Sequence, residues 1–386
     1  MVKFLAGPEA TQEQAEAAAA ALGCRRAIPI IRRGTPLGWI GRTNDFNQSS
    51  IAQMRQRWGS SEGIFLPGFF TAELTDYQTP IKESLRLMND ILDDEDVNDL
   101  LDAPYYASRL QGKFELLQGS FDESDLQEIV KIDVDALEDD DIIADDLWMK
   151  FSWLSYEDDD LSLRCRISFG LEGYEDVAAD WQKQQLAADL TEAIFPESSL
   201  ISSSEPMQRL LGKIMEVDKV AYVERIIYFN APNGGAQFHQ DVERGHAGVV
   251  FAQLYGSTAW FSISKAQLMD ELVAFYQTDA GRQFIAAGAW DAKVRDEFVN
   301  ALSNRDALAE MLECRNNDAL EHALNRSPGF FKHLVEADYA DVLDPGDVIL
   351  LPQKSVAECA WHTVFCADDY AGHALSFAVR EVPPGE

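Results

Sequence analysis

The chain of 386 residues carries 66 acidic and 32 basic side chains, a net charge of −34, which excludes a general binder of nucleic acids or anionic membranes because both would repel it. Its 46% hydrophobic and 10% aromatic content excludes a disordered chain, and its length allows one elaborated domain or two. Five scattered cysteines without a C-x-x-C pair suggest neither a zinc ribbon nor a disulfide framework. With no long apolar run, a soluble cytoplasmic protein is expected.

Residues 10–22, rich in Ala, Glu and Gln, read as a helix. Residues 24–34 follow as a basic segment with a strand-like centre, whose arginines are expected on a solvated face. Helices are expected over 46–60 and 78–102. From 121 to 146 acids are broken by Ile, Val and Leu; an EF-hand would need an oxygen ligand at Leu137 and glycine at Glu138, so the stretch is expected to be an exposed connector. Residues 147–156 and 161–169 alternate with period two around Glu157-Asp-Asp-Asp160, the pattern of a β-hairpin. Helices over 178–195 and 205–216 precede an apolar strand at 220–228. A strand pair at 249–256 and 258–263 turns at Gly256. Helix-period sequence then fills 265–335, after which strands return at 342–352, 361–366 and 374–380, with Pro345-Gly346 suited to the centre of a type II turn.

The stretch from Tyr228 to Asp241 contains Phe238-His-Gln-Asp241. On an extended segment positions i and i+2 share a face, so His239 and Asp241 can grip one metal ion. His362 is expected as the third ligand, with His246 and His373 as alternatives. His322 and His333 fall in the helical insertion and are expected to do no chemistry. Two histidines and one carboxylate on one side of a six-coordinate ion leave positions open on non-haem Fe(II). About one of the 6 histidines would have an acid two residues later by chance, so the surroundings must carry the signal.

Those surroundings are Phe238-His-Gln-Asp241, the strand 251–256 followed by Trp260, the turn and strand Pro345-Gly-Asp-Val-Ile-Leu-Leu-Pro352, and then His362. In that order, over about 220–380, they resemble the cupin-type, double-stranded β-helix oxygenases that use Fe(II) and 2-oxoglutarate, the Jumonji-like hydroxylases especially. The resemblance implies a double-stranded β-helix (cupin/jelly-roll) core, and with the strand pattern that begins at 147 an α+β chain with that catalytic domain at 147–386 is expected, the part before about 220 resembling no known family. A helical insertion at 265–335 interrupts it, and a mostly helical N-terminal region at 1–146 precedes it. It also implies Fe(II), 2-oxoglutarate and O2, the oxoacid being decarboxylated to succinate and CO2 as a C–H bond is hydroxylated. His239, Asp241 and His362 would hold the metal. Jumonji-like enzymes often place a lysine on the strand after the first ligands to hold the far carboxylate; here that neighbourhood offers Tyr255. Arg380, near the end of the last strand, resembles the arginine that other 2-oxoglutarate oxygenases place after the distal histidine.

Two alternatives stay open, a metal cupin that does not use 2-oxoglutarate and a metal-free β-barrel acting as a binding or assembly module. The partner expected is a small-molecule or peptide substrate, cationic if the acidic surface steers it. The aromatic-rich insertion is expected beside the barrel mouth, as a lid or as a homodimer interface.

Overall fold

In the computed structural model, residues 1–386 are described except 33, 46–48, 93–95, 118, 120–127, 155–163, 172–180, 233, 244, 289, 315–316 and 383–386. Strands β1 (Val2–Ala6), β2 (Ile28–Arg32) and β3 (Thr35–Arg42) form a small sheet in the order β1-β3-β2. Next along the chain come β4 (Ile64–Leu66), β5 (Phe114–Leu116), β6 (Glu128–Glu138), β7 (Asp141–Leu154) and β8 (Arg164–Leu171). The second half supplies β9 (Val220–Asn230), β10 (Gly235–His239), β11 (Gly248–Tyr255), β12 (Thr258–Ser264), β13 (Ala340–Leu343), β14 (Val348–Pro352), β15 (Ala360–Cys366) and β16 (Gly372–Glu381). A large antiparallel sheet runs β4-β14-β11-β16-β9-β8-β7-β6-β5, and a smaller one runs β10-β15-β12-β13, so from β9 onward the chain passes back and forth between them.

Side-chain alternation along each strand sets the layers. Val249 and Phe251 of β11 face the space between the sheets, with Trp260, Ile349, Leu351 and Val364. Their neighbours Val250, Ala252 and Leu254 face outward into a core shared with β6–β8 and with helices Gln78–Leu92, Trp181–Ile194 and Glu205–Met215. The turn into β14 is closed by Asp347 N–H donating to Asp344 C=O at 2.9 Å. Gly346, at φ +93°, takes the left-handed position that a type II turn requires there.

The acidic stretch is a correction to the expected connector. Ile132, Val134 and Ala136 of β6 are fully buried, with Lys131 and Asp133 on the opposite face, which is a half-buried strand. Asp139 and Asp140, at φ +51° and +67°, form the two-residue turn into β7, so 128–154 is a hairpin and the boundary expected at 146 falls within a strand. Residues 121–127 lie outside the described residues. So does the acidic tip 157–160 of the next hairpin, although β7 and β8 pair antiparallel as that pattern requires.

The insertion lies against the smaller sheet and reaches the strand that carries His239, Gln237 Nε2 donating to Glu321 Oε2 at 2.7 Å and Phe238 N–H to Asn325 Oδ1 at 3.0 Å. Helices Lys265–Tyr276 and Pro328–Glu336 pack on the outer face of the smaller sheet, against Ala259, Phe261, Ile263 and Phe365, and Ala292–Ala301 packs behind them, with Phe298 against Tyr276. Phe275, Tyr276, Phe330 and Phe331 are buried in that core. The aromatics serve to cover a sheet face that would otherwise be exposed to water.

A second correction concerns Arg32 of the basic segment, whose Arg25 and Arg26 are partly exposed as expected. Arg32 is 1% exposed; its Nη2 donates to Ala236 C=O at 2.9 Å, Val364 C=O at 2.8 Å and Thr363 Oγ1 at 2.8 Å. Arg42 donates to Val342 C=O at 2.7 Å and to Asp347 Oδ2 at 2.6 Å. Two buried guanidiniums thus dock the N-terminal sheet onto the two-sheet core. Among the described residues no helix is long and apolar enough to cross a membrane.

Candidate metal centre

Strands β10 and β15 pair antiparallel with His239 opposite His362, so the register projects two imidazoles from one face of neighbouring strands. Their ring centroids lie 4.2 Å apart at 52°. The chain leaves β10 at His239, and Asp241 sits in the loop beyond rather than on an extended strand. Asp241 reaches back all the same: Oδ1 is 3.3 Å from His239 Nε2 and Oδ2 is 3.3 Å from His362 Nε2. Ala247 N–H, donating to Val379 C=O at 2.7 Å, holds the far end of this loop against β16.

A hydrogen bond decides the His239 tautomer. His239 Nδ1 lies 2.7 Å from Gln237 C=O, an oxygen that can only accept, so Nδ1 carries a proton there and Nε2 is left for a ligand. His362 Nδ1 lies 3.4 Å from Ala360 C=O, beyond the ordinary hydrogen-bond range, so this contact does not fix the tautomer. Burial first, and repulsion from His239 second, push the His362 imidazole below its ordinary value, which favours the neutral ring that a metal needs. Burial pushes the Asp241 carboxyl up, but the two histidines outweigh it and hold it well below the usual carboxylate range. Two donors about 2.1 Å from one ion at right angles lie about 3.0 Å apart, close to the 3.3 Å of each histidine–carboxylate pair, and one ligand atom from each of the three residues lies within 4.8 Å of the others, so the set can hold a divalent ion.

The triad opens onto a cavity of about 30 Å³. Tyr228, Asn230 and Ser376 give its walls polar groups, and Phe251 and Trp260 are among the apolar residues that complete them. The His362 side chain is 3% exposed, whereas those of His239 and Asp241 are 36% and 39% exposed, so the centre lies between the interior and solvent.

Arg380 and Tyr255 are not brought to this cavity. The Arg380 guanidinium packs under the ligand loop, where a Cβ on Gly245 (φ +81°) would meet its Cζ at 3.1 Å. Tyr255 is 41% exposed at the far end of β11, its ring 5.4 Å from that of Tyr370. His246 lies in the loop near Glu224 and Glu243, outside the triad, and burial pushes its imidazole below the ordinary value. His373 is fully buried with Nε2 2.7 Å from Glu197 Oε1, a satisfied core histidine. His333 pairs with Glu271 at 2.6 Å and His322 stacks on Trp290. Sequence reading passed over Asn230 and Ser376. Asn230 is in phase with Tyr228 on β9, and that period was the available signal.

No family model matches the chain, and no curated protein matches it in sequence. Solved structures that it resembles include an oxidoreductase of the 2OG-Fe(II) oxygenase family from Burkholderia pseudomallei, at 8% identity and TM-score 0.31 over 87% of this chain and 93% of that one. A prolyl-4-hydroxylase from Pseudomonas putida aligns at 7% identity and TM-score 0.26, over 86% of this chain and 100% of that one. YcfD, a ribosomal oxygenase from Escherichia coli, aligns at 10% identity and TM-score 0.26, over 88% of this chain and 52% of that one. TM-scores this low assign neither a fold nor an activity.

Proposed function

We propose that the chain is a mononuclear non-haem Fe(II) oxygenase, most simply a hydroxylase, that uses 2-oxoglutarate and O2 at His239, Asp241 and His362. One observation carries the reading: two imidazoles and a carboxylate converge at a cavity between two sheets, with His239 Nε2 left for a ligand by the hydrogen bond at Nδ1. The passage of β9–β16 between the two sheets supports a double-stranded β-helix of the jelly-roll kind. When bound, Fe(II) would supply open coordination positions and the activation of O2.

The chain's own residues do the rest. Gln237 C=O fixes the tautomer and orientation of His239, and the Asp241 carboxylate balances the ion's charge. Phe251 and Trp260 exclude water from the inner side of the centre, while Tyr228, Asn230 and Ser376 offer hydrogen bonds to a bound small molecule. We propose a small-molecule or peptide substrate, favoured in encounter if cationic by the net charge of −34.

A specific observation favours a second reading, a metal cupin that does not use 2-oxoglutarate. Among the described residues neither lysine nor arginine lines the cavity, and its roughly 30 Å³ is small beside the about 300–1,000 Å³ of ordinary ligand sites. A second carboxylate buried there would lack a cation. The test is succinate release from Fe(II)-reconstituted protein given 2-oxoglutarate, with His239→Ala as control. Release that depends on His239 supports the first reading. Stoichiometric metal without succinate or 2-oxoglutarate binding gives the second, and absence of metal binding leaves a metal-free barrel.

A further inference from the structure

We propose that Trp260 is a positioning residue for the metal centre, holding the His362 ring in the plane that aims its Nε2 at the ion; this rests on reading the triad as a metal site. In the β12–β15 pairing Trp260 is opposite Val364 and His362 is opposite Ser262, so the two rings are diagonal neighbours, within reach for aromatic side chains. They stack, with centroids 5.5 Å apart and planes 18° apart. The indole is itself fixed. Its Nε1–H donates to Thr258 Oγ1 at 2.9 Å, the Thr258 hydroxyl donates to Gln253 Oε1 at 2.8 Å, and Gln253 Nε2 donates to Tyr255 C=O at 2.8 Å. Thr258 and Gln253 are fully buried, and Phe251 packs edge-on to the indole at 4.5 Å. A neutral, fully satisfied run of this kind is rigid.

The two histidines differ in what holds them. His239 has a 2.7 Å hydrogen bond to Gln237 C=O, whereas the 3.4 Å contact of His362 to Ala360 C=O exceeds the ordinary N–H···O range of about 2.7–3.2 Å. The weak bond leaves rotation of the His362 ring to be restrained by the indole plane.

Co²⁺ affinity, with the d–d absorption of the bound ion as a spectroscopic signature of ligand geometry, tests this on the full chain. Trp260→Leu is expected to weaken Co²⁺ binding about 10–100-fold, the loss typical when a group orienting a metal ligand is removed, and to change the d–d bands. Trp260→Phe, which keeps a ring over His362, is expected to restore both to near wild type. Thr258→Val, which frees the indole without emptying its place, should fall between them and serves if Trp260→Leu does not fold. Wild-type binding matched within about threefold by Trp260→Leu and Thr258→Val, with unchanged bands, overturns this inference alone. A wild-type chain that does not bind Co²⁺ overturns the metal reading and the inference with it.

Discussion

Arg32→Met tests how the N-terminal sheet supports the site. The change removes a guanidinium that is 1% exposed and keeps an apolar stem of similar length. Ala236 C=O keeps the Thr363 hydroxyl at 2.7 Å, whereas Val364 C=O loses its Arg32 donor, a loss of about 1–3 kcal/mol for a buried acceptor. The cation also sits 4.0 Å from the centroid of the Phe365 ring, a contact worth about 0.5–2 kcal/mol when desolvated. Together these give a loss of about 1.5–5 kcal/mol in urea unfolding of the metal-free protein. Because Ala236 and Val364 lie on the strands that carry His239 and His362, where the ladder is irregular, Co²⁺ affinity should fall as well. A loss under about 1 kcal/mol, or a gain, would refute the reasoning, since the cost of burying the charge would then cancel its bonds.

His239→Ala, Asp241→Ala and His362→Ala should each abolish stoichiometric metal binding, read by metal analysis after dialysis; full occupancy in His362→Ala would remove that residue from the ligand set. Arg380→Ala should weaken metal binding through the Gly245 loop at least as much as it weakens 2-oxoglutarate binding, measured by paired titrations. A selective loss of 2-oxoglutarate would instead make Arg380 its anchor. Burial pushes the Asp341 carboxyl up to about 6, so the folded state binds the extra proton and stability falls as pH rises from the unfolded value near 4 towards 6. Asp341→Asn should therefore match wild type at pH 4 and exceed it by at most about 3 kcal/mol above pH 6, and equal pH profiles in thermal unfolding would contradict this.

Local pattern was enough for much of this chain. Apolar runs bounded by turn residues marked β9 and β11–β16, and Pro345-Gly346 marked the turn into β14, because period-two hydrophobicity and positive-φ glycine are properties of a few adjacent residues. That His239, Asp241 and His362 would come together was also legible, although nothing local said that Asp241 would leave the strand and fold back. The acidic stretch 128–138 had the right alternation at Ile132, Val134 and Ala136, but charge density masked it. What a side chain faces across space could come only from tertiary packing. Register set His239 opposite His362 and Trp260 diagonal to it, and packing of the N-terminal sheet against the smaller one put β2 beside β15, so an arginine in phase with Ile28 and Ile30 became a buried donor. The same long-range geometry carried Arg380 beneath a loop and Tyr255 to the far end of β11, because distance from the triad depends on sheet pairing and not on separation along the chain.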